Sequence, residues 1–286
     1  MKRDCPKCQA PHQNIIKSGY YNRVSDSKKI QRYKCKSCHA YFSSATFSSC
    51  YNQNKRRLNP IVKNSLCSSM SMRRFAKVYK VSRTTVKRKL DFLANQAREN
   101  HSKWLSDRTH NFKEVQFDDL ETFEQTKCKP ITVTLFVEHK TRKIIDFSVA
   151  RIGAKGHLAK VSRAKYGIRK NESFKKREQL FKRIAPYIDE EAKISSDESV
   201  FYPILVRKYF PKADYKRFKG AKSAATGQGE LKKQGFDPLF SVNHTFAMMR
   251  YGMSRLVRRT WCTTKCIKSL ENHIALYVDF HNQVLT

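Results

Sequence analysis

Val115-Gln116-Phe117-Asp118-Asp119-Leu120-Glu121-Thr122-Phe123 sets acidic side chains into a run that otherwise has the β-branched and aromatic character of a strand. A carboxylate on a central strand costs free energy, because burial penalises its charge, unless it binds something. Two runs of similar texture, 131–137 and 143–150, follow across turn or charged segments, so three strands in succession are expected. Beyond them come a basic, helical insertion over 151–187, a short strand over 192–196, a helix from about 199 to 209 and a strand over 215–218. Residues 221–234, rich in Gly, Ala, Ser and Lys, read as a loop, and 239–257 and 268–280 as helices. Strands first, then alternation of strand and helix, predict an α/β fold.

A second acid stands in Ile194-Ser195-Ser196-Asp197-Glu198, at the carboxyl end of the short strand, where α/β sheets place their sites. Brought together, Asp118 and Asp197 would hold two Mg²⁺ or Mn²⁺ ions, which activate water or a 3′-hydroxyl in phosphodiester transfer. The competing account makes them a strand-end residue and a helix-cap residue without chemistry.

Charge points to a polyanionic partner. Lys and Arg number 59 against 24 acidic residues, and the surplus of 35 exceeds what solubility asks of a surface. Residues 1–110 alone hold 25 basic and 5 acidic side chains, which is 20 of that surplus. No run of about 18 apolar residues exists, so a bilayer-spanning helix is excluded. The start Met1-Lys2-Arg3-Asp4-Cys5 lacks the apolar stretch of a secretory signal, and a reducing, cytoplasmic, nucleoid-associated setting is expected.

In such a compartment the nine cysteines serve as ligands or core residues rather than in disulfides. Cys5-Pro6-Lys7-Cys8 and Cys35-Lys36-Ser37-Cys38, with 26 residues between them, place four thiolates in tetrahedral reach of one Zn²⁺. With every position filled by protein, that ion is structural. A redox Cys-x-x-Cys is the alternative, and His12 and His39 lie close enough in sequence to replace a ligand. Residues 1–50 are therefore expected to form a zinc ribbon.

Residues 51–110 are expected to form the next domain, and between Asn59 and Asn95 they carry apolar side chains at helical spacing: Ile61, Leu66, Met70, Phe75, Val78, Val86, Leu90 and Leu93. A helix over 72–79, a turn at Lys80-Val81 and a second helix over 83–90 capped by Ser82 make a helix-turn-helix. Arg73, Arg74, Ser82, Arg83, Thr84, Thr85, Lys87 and Arg88 are the expected DNA contacts, against the plainer reading of a solvated surface helix.

This order of parts resembles the bacterial insertion-sequence transposases of the DDE type, in the group with a Cys-x-x-Cys ribbon and helix-turn-helix ahead of the catalytic domain. The resemblance covers nearly the whole chain. It implies an RNase H-like catalytic domain, a mixed sheet flanked by helices, over 111–286 with the basic insertion at about 151–190. The family's first acid matches Asp118, with Asp119 as the alternative, and its second matches Asp197, followed by Tyr202. The third, a glutamate seven residues before an arginine, falls on Asn243, ahead of Arg250 and Arg255-Leu256-Val257-Arg258-Arg259-Thr260. An amide oxygen is a neutral ligand in place of the carboxylate. Glu230, Glu271 and His244 are the other candidates near the site, and Arg250, Arg255, Arg258 and Arg259 are expected on the DNA backbone. The implied activity is binding of terminal inverted repeats, cleavage and strand transfer on double-stranded DNA by a dimer or larger assembly. The rivals are a DNA-binding regulator with a decayed site and a nuclease of the RNase H kind.

Overall fold

The computed structural model describes residues 3–24, 26–219, 237–257 and 261–285. The chain divides into two compact units, Met1–Ile61 and Val62–Thr286. Three pieces were expected from the sequence; the helices from Val62 onward share a unit with the large sheet.

In the first unit β1 (Ile15–Arg23), β2 (Lys28–Cys35) and β3 (Tyr41–Ser43) form an antiparallel sheet in that order. Its core is small. Cys5, Cys35 and Phe42 are buried, with Ile15 and Tyr33 packed on them. A segment with so little apolar area needs a staple, and the cysteines sit where one would go.

The second unit begins within α1 (Leu58–Cys67), followed by α2 (Met72–Val78) and α3 (Arg83–Ser106). Ser71 and Ser82 cap α2 and α3, each hydroxyl accepting a hydrogen bond from the N–H three residues on. α3 runs 24 residues, well past the expected end at 90, because Leu93, Ala94, Ala97 and Leu105 continue its apolar stripe. That stripe lies against α8 (Ile267–Phe280).

β4 (Phe112–Phe123), β5 (Pro130–Glu138), β6 (Ile144–Arg151), β7 (Ile188–Asp197) and β8 (Asp214–Phe218) make one five-stranded sheet in the order β6-β5-β4-β7-β8. β4, β5 and β6 pair antiparallel, whereas β7 and β8 join parallel to β4. The fold is thus mixed α/β. α4 (Leu158–Tyr166) and α5 (Ser173–Ile184) occupy the basic insertion, and α6 (Tyr202–Tyr209) links β7 to β8. On one face Phe117 and Phe136 stack with centroids 4.6 Å apart, and Phe181 of α5 meets both edge-on. Fully burying such a ring is worth roughly 2–3 kcal/mol. On the other side α7 (Phe240–Gly252) lies against β4 and β5 and turns Val242, Phe246 and Met249 inward. Among the described residues no helix is long and apolar enough to cross a membrane.

Candidate active site and metal centre

Sheet order brings the two acids together. β4 and β7 are parallel neighbours with Gln116 opposite Ser195. Two residues further along each strand, and so on one face and at one level, stand Asp118 and Asp197. Burial pushes the Asp118 carboxyl up to about 7; the Asp119 N–H that it accepts resists this, the charges of Asp197 and Asp119 reinforce it, and Arg250 counters it. Asp197 is raised as well, by burial first, with the Ser199 N–H opposing and Asp119 adding its charge. Two carboxylates that are both penalised as anions form a site short of positive charge.

Asp119 faces the other way and is already committed. Its Oδ1 accepts from the Thr134 hydroxyl at 2.5 Å, and its Oδ2 accepts from Arg177 Nε at 3.2 Å and Nη2 at 2.7 Å. Both oxygens are engaged, so of the two adjacent aspartates Asp118 is the one left for a cation. Arg177, only 7% exposed, also lies over the ring of buried Tyr202 at 5.4 Å. Its place in a strongly basic insertion hid this inward role, and Arg169 of the same insertion is half-buried beside Glu124. The one sequence cue was a helical phase in which Arg177, Leu180, Phe181 and Ile184 share the buried side of α5.

Gln116 was also missed. Its side chain is buried; Nε2 donates to the Pro238 carbonyl at 2.8 Å and Oε1 accepts from the Val242 N–H at 3.2 Å. It thereby ties the first turn of α7 to the strand that carries Asp118.

The remaining candidates divide. Arg250 lies close enough to act on the charge of Asp118. Asn243, exposed on the first turn of α7, donates from its amide to Asp237 Oδ2 at 2.9 Å, a contact that holds it to the loop rather than to the acid pair. His244 lies 3.3 Å from Arg142 and is held down by burial and by that guanidinium. Arg255, expected on DNA, is only 8% exposed, and burial lowers it to about 10; its guanidinium belongs to the interior. Glu271 lines a separate cavity with Arg98, His101 and Asp146, away from the acids. Glu230, Arg258 and Arg259 lie outside the described residues. No protein-family model matches the chain, and no curated protein is significantly similar to it.

Of the helical candidates, Arg73, Arg74, Ser82, Arg83, Thr84 and Arg88 are exposed. Thr85 and Lys87 are half-buried: the Thr85 hydroxyl meets Ser82 at 2.9 Å, and Lys87 pairs with Asp91 at 2.5 Å.

The cysteines form a built site. Among the described residues Cys5, Cys8, Cys35 and Cys38 are the one group of three or more such ligands with all ligand atoms within 4.8 Å of one another. Cys5 and Cys38 sulfurs are 3.6 Å apart and Cys8 and Cys35 sulfurs 3.7 Å. Tetrahedral zinc ligation at about 2.3 Å requires sulfurs about 3.8 Å apart, so the quartet fits that ion. The two knuckles repeat one geometry: Cys5 N–H donates to the Ala10 carbonyl at 2.9 Å, and Cys35 N–H to the Ala40 carbonyl at 3.0 Å. Gln9 and His39, directly after each pair, both take positive φ, at 58° and 55°, which lets the backbone curl back under the thiols. N–H groups of Cys38 and Ser37 hold the Cys35 thiol down at about 6, which favours the thiolate a metal needs. His12 and His39 are exposed and stand outside the quartet.

Proposed function

We propose that this chain is a metal-dependent DNA transposase of the DDE type, with an RNase H-like catalytic domain behind a zinc ribbon and a helix-turn-helix. The observation that carries the reading is the pair Asp118 and Asp197, two residues beyond the paired Gln116 and Ser195 on adjacent parallel strands, both carboxyls raised first by burial and, among the described residues, without an ion-pair partner of the kind Asp119 has in Arg177. Mg²⁺ takes one or two protein carboxylates and fills its shell with water and substrate phosphate, so this donor set suits it. Bound there, two such ions would activate water or a 3′-hydroxyl and neutralise the leaving oxygen. The protein's own part is to fix the acids: Gln116 anchors α7, Arg177 and Thr134 lock Asp119, and Arg250 lends a positive charge beside Asp118. A sheet of three antiparallel strands continued by two parallel ones, with acids on adjacent strands, supports the RNase H-like assignment.

The exposed residues Arg73 and Arg74 of α2 and Arg83, Thr84 and Arg88 of α3, two helices that each begin at a serine cap, suit a recognition surface for inverted repeats. Cleavage of paired ends calls for at least a dimer on double-stranded DNA. Purified protein with Mn²⁺ is expected to nick and join DNA, and Asp197→Ala to abolish this while DNA binding persists. Transfer that survives Asp197→Ala removes the acid pair from the chemistry. The second reading, a DNA-binding regulator, is favoured by the amide of Asn243 resting on Asp237 instead of the acids. It predicts binding without cleavage by the wild-type protein, and a nuclease predicts cleavage without joining.

A further inference from the structure

Past the carboxyl end of β7 lies a patch outside that chemistry. Four residues after Asp197, at the head of α6, Phe201 is 50% exposed, and Val200 and Ile204 are 73% and 55% exposed. Across from it Phe174, one turn ahead of Arg177 on α5, is 41% exposed. The two rings are 6.3 Å apart and nearly perpendicular, at 71°. Both elements are anchored at the acids: the turn 197–202 by Ser199 N–H on the Asp197 carboxylate and Tyr202 N–H on the Ser199 carbonyl, and α5 by Arg177 on Asp119. The rim therefore holds its two rings on rigid supports, a few residues from the carboxylates that would grip a scissile phosphate.

On a chain with a surplus of 35 positive charges such an apolar rim is out of keeping with a plain phosphate-binding surface. Lys175, next to Phe174, and Arg207, one turn beyond Ile204, are exposed at its border and suit the phosphates on either side of a nucleobase. Aromatic faces bordered by cations are the chemistry that stacks unpaired bases.

We propose that Phe201 and Phe174 form a stacking shelf for one unpaired nucleobase next to the bond cut at Asp118 and Asp197. The proposal rests on the strand-transfer reading and deepens it: the substrate is DNA opened at the reacting step rather than an intact duplex. Stacking on one aromatic residue is worth about 1–3 kcal/mol, or roughly five- to a hundredfold in affinity.

The probe is a short duplex with 2-aminopurine opposite an abasic site, compared with the same duplex carrying 2-aminopurine paired to thymine, at low salt without added divalent metal. Wild-type protein should bind the first about tenfold more tightly and quench its fluorescence. Phe201→Ala should erase that preference and the quenching while its affinity for the paired duplex stays put; Phe201→Trp should restore both. Equal affinity of the wild type for the two probes overturns the proposal, as does a Phe201→Ala variant that weakens both alike. A change in sedimentation of the DNA-free Phe201→Ala protein assigns the patch to a second copy of the chain and overturns it too. Since these readouts need no cleavage, a failed shelf is distinguishable from a failed acid pair, which shows itself as Mn²⁺-dependent cleavage surviving Asp197→Ala.

Discussion

Asp118 occupies a place that its own charge opposes. Its folded value of about 7 lies above the 3.8 of a free carboxyl, so the native state holds its proton more firmly than the unfolded chain does. The stability this contributes is full below pH 3.8 and is lost as pH rises through 7. Without added Mg²⁺, Asp118→Asn should therefore stabilise the protein at pH 8, on the order of 2–4 kcal/mol, and change little at pH 4; paired thermal melts test it. His273 has the opposite sign. Fully buried, with Arg255 nearby and only the Leu66 carbonyl in its favour, it is pushed down to about 3 from 6.5. Its contribution is present above pH 6.5 and lost as pH falls toward 3, so His273→Gln should flatten the acid limb of a stability profile read by urea midpoints. The acids on β4 were legible in sequence because a carboxylate interrupting an apolar strand is conspicuous. Which of the adjacent pair stays unclaimed was not, since that depends on Arg177, 58 residues of chain away from Asp119 in a segment whose charge reads as surface.

The helices were legible to the extent that their apolar phase is uniform. α3 was read short because the sequence beyond 90 is strongly polar on one side, and only α8, folded back against it, and the sheet core that takes in Leu105 show why the helix continues. α7 ends at Gly252, where a Cβ would come 2.7 Å from the Tyr277 ring and 2.8 Å from the Cys67 carbonyl. Because one of those neighbours is backbone, the crowding has little room to relax. Gly252→Ala should cost about 1–3 kcal/mol, visible as a lower urea midpoint with an unchanged slope. In the first unit, Cys35→Ser removes one of four clustered thiols from a unit that has few other buried groups. Bound zinc, measured by a colorimetric chelator, should fall to none, and the β signal of the first unit should vanish while the melting of the second persists.

For the molecule as a whole the charge surplus dominates. If residues 1–110 and the exposed lysines of the insertion contact phosphate, DNA affinity must fall steeply with salt, by roughly a thousandfold or more between 50 and 200 mM. A slope of one or two ions in a salt titration would mean that most of the 59 cations lie off the DNA. Arg73→Ala with Arg88→Ala should reduce that slope by about two.

The 24 residues of α3 form a rod about 36 Å long, nearly one turn of B-DNA. Its first residues carry the exposed cations, and Leu105 in its last turn is packed in one cluster with Phe112, where the strand of Asp118 begins. Under the proposed function such a rod would work as a caliper. The number of base pairs between a sequence read at the head of α3 and a bond cut at the acid pair would be a property of the protein, and DNA whose spacer is lengthened by half a helical turn would present the cut site on the wrong side of the duplex.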